Sequence, residues 1–282
     1  MPYPIFNPGV IRWNDEILFV SRCSNLLVRD DSYYVYGSKP HDTANVFHRY
    51  SERLEVIESH LLDDRLLRKN CRAAECGIED LRLFSWQGAL WAIGAGVRVD
   101  DMGFLVSQIL IRIDQWKIVE FIELNSPVGA RREKNWIPLV RDDKLFLIYC
   151  FDPLIVFEYR EGRLLPVTGA PAAGSELRMR GGTPLLGWGE YYVGIVHAPL
   201  KIIDGKGYLL HHFIVLNENF ELIEVSRPFH FQRLGVEFAC GLIEFKGDLL
   251  VSYGVSDRGA AFAVFPIQRL AEWVVSLGVS VR

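Results

Sequence analysis

Short apolar runs alternate with polar breaks along the whole chain, and five of the breaks share one layout. Asp15, Gly88, Asp143, Gly189 and Gly247 each stand two residues before an apolar or aromatic position, at Ile17, Leu90, Leu145, Tyr191 and Leu249. Eight residues before each break lies Asn7, Asp80, Asn135, Gly181 or Ala239. Gly and Asp tolerate the positive φ of tight hairpins. The flanking runs are rich in Val, Ile, Leu, Tyr, Phe and Trp, the residues of strands. A sheet unit recurring at roughly 40–50 residues is the mark of propeller blades. Five such units occupy nearly all of the 282 residues. The pattern therefore predicts an all-β, five-bladed β-propeller forming a single domain over 1–282. The bland alternative is an all-β protein with many unrelated hairpins, and the agreement of the five breaks in offset as well as type argues against it.

Within that frame, blade one holds strands at 17–21 and 33–36. The charged stretch 52–70 reads as an excursion or short helix. Blade two runs over 77–124, with strands at 90–94 and 105–113. Blade three has strands at 145–150 and 155–159, and the Pro/Ala/Gly-rich loop 168–175 parts it from blade four. Blade four holds 191–197, 208–216 and 220–225; blade five holds 249–253 and 261–264. Leu270, Trp273, Val274 and Leu277 have helical spacing, which predicts a short C-terminal capping helix over 267–282.

Composition narrows the classes. The net charge of −4 gives no basic surface for nucleic acid or an anionic membrane. No run reaches the roughly 18 apolar residues of a membrane span. Met1-Pro2-Tyr3-Pro4 lacks the basic-then-apolar order of a secretory signal. Five cysteines is an odd count, and Cys71 with Cys76 has no second Cys/His pair for zinc. Free thiols in a reducing cytoplasm are the expectation, with no metal and no cofactor. A homo-oligomer is compatible with all of this.

The inner strand of each propeller blade lines the central channel, so equivalent positions converge at one end of it. This brings together Asn7, Glu79, Asp80, Arg82, Glu133, Lys134, Asn135, Arg180 and Glu237, with Arg22, Asp152, His197 and Asp257 closing the following strands. Each residue alone has a bland reading: solvated strand-end acids, or arginines bridging blades. Together, with Trp136 beside them, they suit a sugar, whose hydroxyls need donors and acceptors and whose apolar face stacks on a ring. His211 and His212 sit in one strand and point to opposite faces, so at most one, His211, belongs to the site.

Three stretches carry a resemblance: Gly77-Ile78-Glu79-Asp80-Leu81-Arg82, Arg180-Gly181-Gly182-Thr183-Pro184, and Gly241-Leu242 followed by Ser252-Tyr253-Gly254-Val255-Ser256-Asp257. On these the chain resembles glycoside hydrolase family 130 and its bacterial propeller relatives, which break or make β-mannosides, many by phosphorolysis. Glu133-Lys134-Asn135-Trp136 matches a related subgroup. The resemblance implies that Asp80, the aspartate of a Glu-Asp-Pro-Arg motif, is the catalytic acid; Leu81 stands where the family usually has proline. Asp80 would protonate the glycosidic oxygen, directly or through a sugar hydroxyl. An inverting hydrolase also needs a carboxylate to activate water, for which Glu237 and Asp257 are the candidates. A phosphorylase instead takes inorganic phosphate as co-substrate and needs cationic donors, drawn from Arg22, Arg82, Lys134, Arg180, His197 and His211. The competing reading is a catalytically silent carbohydrate-binding propeller.

Overall fold

The computed structural model describes residues 3–29, 32–37, 41–169, 179–201 and 207–275. Among the described residues its strands form six antiparallel sheets, five of them blades in chain order and the sixth a two-stranded ribbon inserted between the second and third strands of blade one. Blade one is Ile5–Trp13, Glu16–Ser24, Thr43–Tyr50 and Val56–Leu61; blade two is Ile78–Trp86, Ala89–Asp100, Gly103–Asp114 and Lys117–Glu123. Blade three is Ile137–Arg141, Lys144–Phe151, Leu154–Arg160 and Arg163–Thr168. In blade four the inner strand is split into Arg180–Gly181 and Leu186–Trp188, followed by Tyr191–Lys201, Gly207–Asn217 and Leu222–Val225. Blade five has three strands among the described residues: Glu237–Phe245, Asp248–Val255 and Gly259–Phe265. The result is the expected five-bladed propeller with a short C-terminal helix, Ile267–Val275.

The repeated breaks are two-residue hairpins between the first and second strands of each blade, as the pairs Trp13↔Glu16, Trp86↔Ala89, Arg141↔Lys144, Trp188↔Tyr191 and Phe245↔Asp248 show. In blades one, two, three and five both loop residues have positive φ: Asn14 and Asp15, Gln87 and Gly88, Asp142 and Asp143, Lys246 and Gly247. That is the type I′ arrangement, whose twist matches that of the flanking strands.

Two boundaries differ from expectation. Residues 33–36 do not continue blade one; they lie in a separate two-stranded ribbon, Leu26–Arg29 with Ser32–Val35. The blade's outer strand is instead Val56–Leu61, inside the stretch read as a charged excursion. Only one side of an outer strand is covered, so its pattern is diluted by Glu58 and His60. The short helix expected nearby is Arg65–Asn70. Leu277 and most of the 168–175 loop lie outside the described residues.

Apolar clusters fill the gaps between successive blades. The ring closes between blades five and one through Val10, Ile17, Phe19, Ile243, Phe245 and Leu250. Ser252 Oγ donates to Pro8 O across the same seam. Leu270 of the C-terminal helix is buried against blades four and five, with Trp273 packed beside it. No helix among the described residues is long and apolar enough to cross a membrane.

Candidate functional site

The device that builds the site is a backbone irregularity at the start of the inner strands. Asn7, Asp80 and Asn135, the equivalent residues of blades one to three, have φ of 48, 53 and 67°. Asn and Asp are the non-glycine residues that best tolerate this left-handed region. The ladder register slips at the first two, between Phe6 and Gly9 and between Glu79 and Arg82, as at a β-bulge. Successive strand residues ordinarily face opposite sides. Here Glu79 and Asp80 both line one cavity of about 390 Å³, with Asn7, Arg22, Lys134, Asn135, His197 and Asp257. The convergence expected from the repeat is therefore present for these eight residues.

Their contacts are specific. Asn7 Nδ2 donates to Asp80 Oδ1 at 2.9 Å, and Arg22 Nη1 reaches the same oxygen at 3.4 Å. Among the described residues no side chain donates to Oδ2, so that oxygen is left for a ligand. A side chain at Gly254 would collide with Asn7, so blade five supplies a bare wall behind it. Glu79 is 4 % exposed and takes three partners: Arg22 Nη2, His41 Nε2 at 3.0 Å and Lys134 Nζ at 3.1 Å. Burial works to raise its pKa, but the charges of Arg22 and Lys134 and the bond from His41 win and hold it well below the usual carboxylate range. His197 Nε2 lies 3.5 Å from Asn135 Nδ2. Burial, together with the charges around it, pushes this histidine well below the ordinary imidazole value. It is thus a neutral hydrogen-bonding group at physiological pH.

Five expected site residues are committed elsewhere, and Arg180 does not reach the cavity walls. Arg82 is a strut between blades: Nε donates to Gly182 O at 2.9 Å, Nη1 to Asp80 O at 3.0 Å, and Nη2 to Asn135 Oδ1 at 3.1 Å and Gly181 O at 3.3 Å. With its donors so used it does not line the cavity. Glu237 is not placed to act as a base, because its carboxylate accepts the backbone N–H groups of Phe231, Gln232 and Arg233 at 2.6, 2.9 and 3.1 Å. Trp136 is fully buried and offers no face to a sugar; its Nε1 donates to Glu133 Oε2 at 3.3 Å. Glu133 also accepts from Ser126 Oγ at 2.5 Å, and burial raises its pKa. His211 is sealed between Phe229 and Phe231. Burial pushes its pKa down to about 4. His212, on the other face, bonds Ser226 O through Nδ1 at 2.8 Å. Arg180 is exposed, paired in the ladder with His197, and Asp152 is exposed with its backbone bridged to Met179.

Among the lining residues that sequence reasoning missed, three bear on the chemistry of the site. His41 comes from a segment outside the repeat, just before the third strand of blade one. Phe104, 41 % exposed on blade two, stands edge-on to His41 at 6.0 Å. Arg132 reaches the cavity from the segment leading into blade three. None sits at a repeated offset; an aromatic just after a hairpin glycine was the one visible cue, for Phe104. No cluster of metal-ligating side chains occurs among the described residues.

No protein-family model matches the chain, and no curated protein is similar to it in sequence. Solved structures are similar in fold. A β-1,2-mannobiose phosphorylase from Listeria innocua superposes with a TM-score of 0.66 at 14 % identity, over 97 % of this chain and 92 % of its own. A glycosyl hydrolase from Bacteroides ovatus gives 0.65 at 12 %, over 95 % and 85 %. A mannose phosphorylase from Leishmania mexicana, solved with a phosphate ion, gives 0.61 at 11 %, over 95 % and 86 %. Mannoside phosphorylases are thus among the folds it shares, in line with the motif resemblance.

Proposed function

We propose that this chain is a carbohydrate-active enzyme that cleaves β-mannoside-type glycosides with inversion, Asp80 acting as general acid. The observation that carries the reading is the placement of Asp80: a carboxylate on the cavity wall, oriented by Asn7 and Arg22, with Oδ2 open to a ligand. A cavity of about 390 Å³ falls in the range of small-ligand pockets. His41 and His197 also line it and add polar groups to its wall. Phe104 takes over the stacking role expected of Trp136. The β-mannoside class rests on the sequence motifs and on the mannoside phosphorylases among the similar folds.

Two nucleophiles fit the remaining groups. Water would be activated by Asp257, a carboxylate on the cavity wall. Inorganic phosphate would lie against Lys134 and Arg132, which share one rim segment. The test is to incubate short β-mannosides with the protein, with and without phosphate, alongside the Asp80→Asn variant. Sugar 1-phosphate formed only with phosphate establishes phosphorolysis; free mannose in both arms establishes hydrolysis. In either case Asp80→Asn should slow turnover by about a hundred- to ten-thousand-fold, the usual contribution of a general acid, while sugar binding persists. Binding without turnover in both arms would establish the carbohydrate-binding alternative instead.

A further inference from the structure

We propose that Glu79 is the positioning residue of this site: it gathers Arg22, His41 and Lys134 from three separate segments and thereby decides how much of Arg22's positive charge falls on Asp80. The inference rests on the reading of Asp80 as proton donor. Its basis is the bulge that turns two consecutive carboxylates into one cavity, where a regular strand would hide one of them. A single guanidinium spans the pair, Nη2 to Glu79 and Nη1 to Asp80 at 3.4 Å. The longer contact is the one to Asp80, so Glu79 holds the greater share of Arg22. Glu79 is also fixed by His41 at 3.0 Å and Lys134 at 3.1 Å, and a carboxylate with three such donors stays ionised. Asp80, by contrast, holds only Asn7 and the more distant end of Arg22, and it lines the cavity. Two carboxyl groups are thus assigned different roles by their surroundings, the arrangement that acid catalysis needs.

The other charged and titratable groups facing the pair are constant in the comparison. His197 on blade four, Asp257 on blade five and Arg132 ahead of blade three share the cavity. Arg82 meets Asp80 through the backbone carbonyl only. Cys240 of blade five is directed at Leu81 O, and burial pushes its thiol up to about 12, so it stays neutral.

The experiment follows the side-chain carbon of Asp80 by ¹³C NMR through a pH titration, assigned with Asp80→Asn, and the pH–rate profile on the mannoside that is turned over. Glu79→Gln removes the neighbouring charge, so the Asp80 titration and the alkaline limb of the rate profile should both move to lower pH by about one unit. Glu79→Asp keeps the charge and should restore most of the shift. Lys134→Met removes a cation and should move both to higher pH. If Glu79→Gln does not fold, Lys134→Met carries the test, since its side chain is 36 % exposed. A purely structural role predicts a lower urea midpoint with no movement of the titration in any folded variant, and that result overturns the proposal. Coupled titrations without turnover of any glycoside would overturn the functional reading alone.

Discussion

Replacing Arg82 by lysine separates a cationic ligand for phosphate from a strut between blades. The guanidinium is 1 % exposed and satisfies four acceptors in blades two and four and at the start of blade three. Lysine keeps the charge but places one nitrogen where three were spread, so at least two buried oxygens lose their donor. Each such loss costs about 1–3 kcal/mol, which sets the expected destabilisation at about 4 kcal/mol. Domains have only about 5–15 kcal/mol in total, so this is a large fraction. With a urea slope of order 3 kcal/mol/M, the unfolding midpoint should fall by roughly 1–1.5 M at unchanged slope. The assay is equilibrium urea unfolding followed by tryptophan fluorescence; Trp136, fully buried next to Asn135, reports on this region. An unchanged midpoint together with a raised KM for phosphate would refute the reasoning, because it would mean that the guanidinium faces the ligand.

Glu237→Gln tests the other reassigned residue: one oxygen remains for two of the three N–H groups, while an amide now confronts the third. The expected loss is about 2 kcal/mol of stability, with turnover preserved in the folded fraction. Turnover slowed by about a hundredfold or more at unchanged stability, the loss expected on removing a general base, would restore Glu237 to that role. His211 makes a pH prediction. Unfolded it takes a proton near the ordinary value of 6.5, and folded near 4, so the native state binds fewer protons and stability must fall as pH drops between those values. The contribution is about 3 kcal/mol from the width of that window. Urea midpoints measured between pH 7 and 4 should show the decline and His211→Phe should lessen it by about that amount, His197 supplying a decline of its own; a decline of equal size in the variant would place its origin elsewhere.

The fold was legible because its code is local. A two-residue hairpin demands particular residues at fixed positions, and Asp15, Gly88, Asp143, Gly189 and Gly247 announce it without reference to anything distant. Strands covered on both faces were legible for the same reason. Val56–Leu61, covered on one face only, was not. The site was legible only as far as backbone position decides it: Asn7, Asp80 and Asn135 follow from the repeat. Whether a charged side chain faces the cavity or a neighbouring blade depends on which partner lies within reach, and no offset encodes that. Arg82 and Glu237 carry the right chemistry at the right positions, yet acceptors of blades three and four consume the first and the N–H groups of the loop just ahead of Glu237 consume the second. His41 shows the converse, a group recruited from outside the repeat by a carboxylate 38 residues away.

The five equivalent positions are not chemically equivalent. Blades one to three place Asn7, Asp80 and Asn135 there; blades four and five place Gly181 and Ala239, which bear no polar side chain. All lysine and arginine side chains on the described cavity wall, Arg22, Arg132 and Lys134, likewise come from blades one to three or the segments leading into them. Blades four and five contribute Leu209, Val236 and Phe238 beside His197 and Asp257. The cationic groups of the cavity are thus gathered on blades one to three, while apolar side chains line it on both sides: Phe6, Val97, Phe104 and Val106 on blades one and two, and Leu209, Val236 and Phe238 opposite them. Arg22 is shared between Glu79 and Asp80 because the bulge in blade two directs both carboxylates toward blade one.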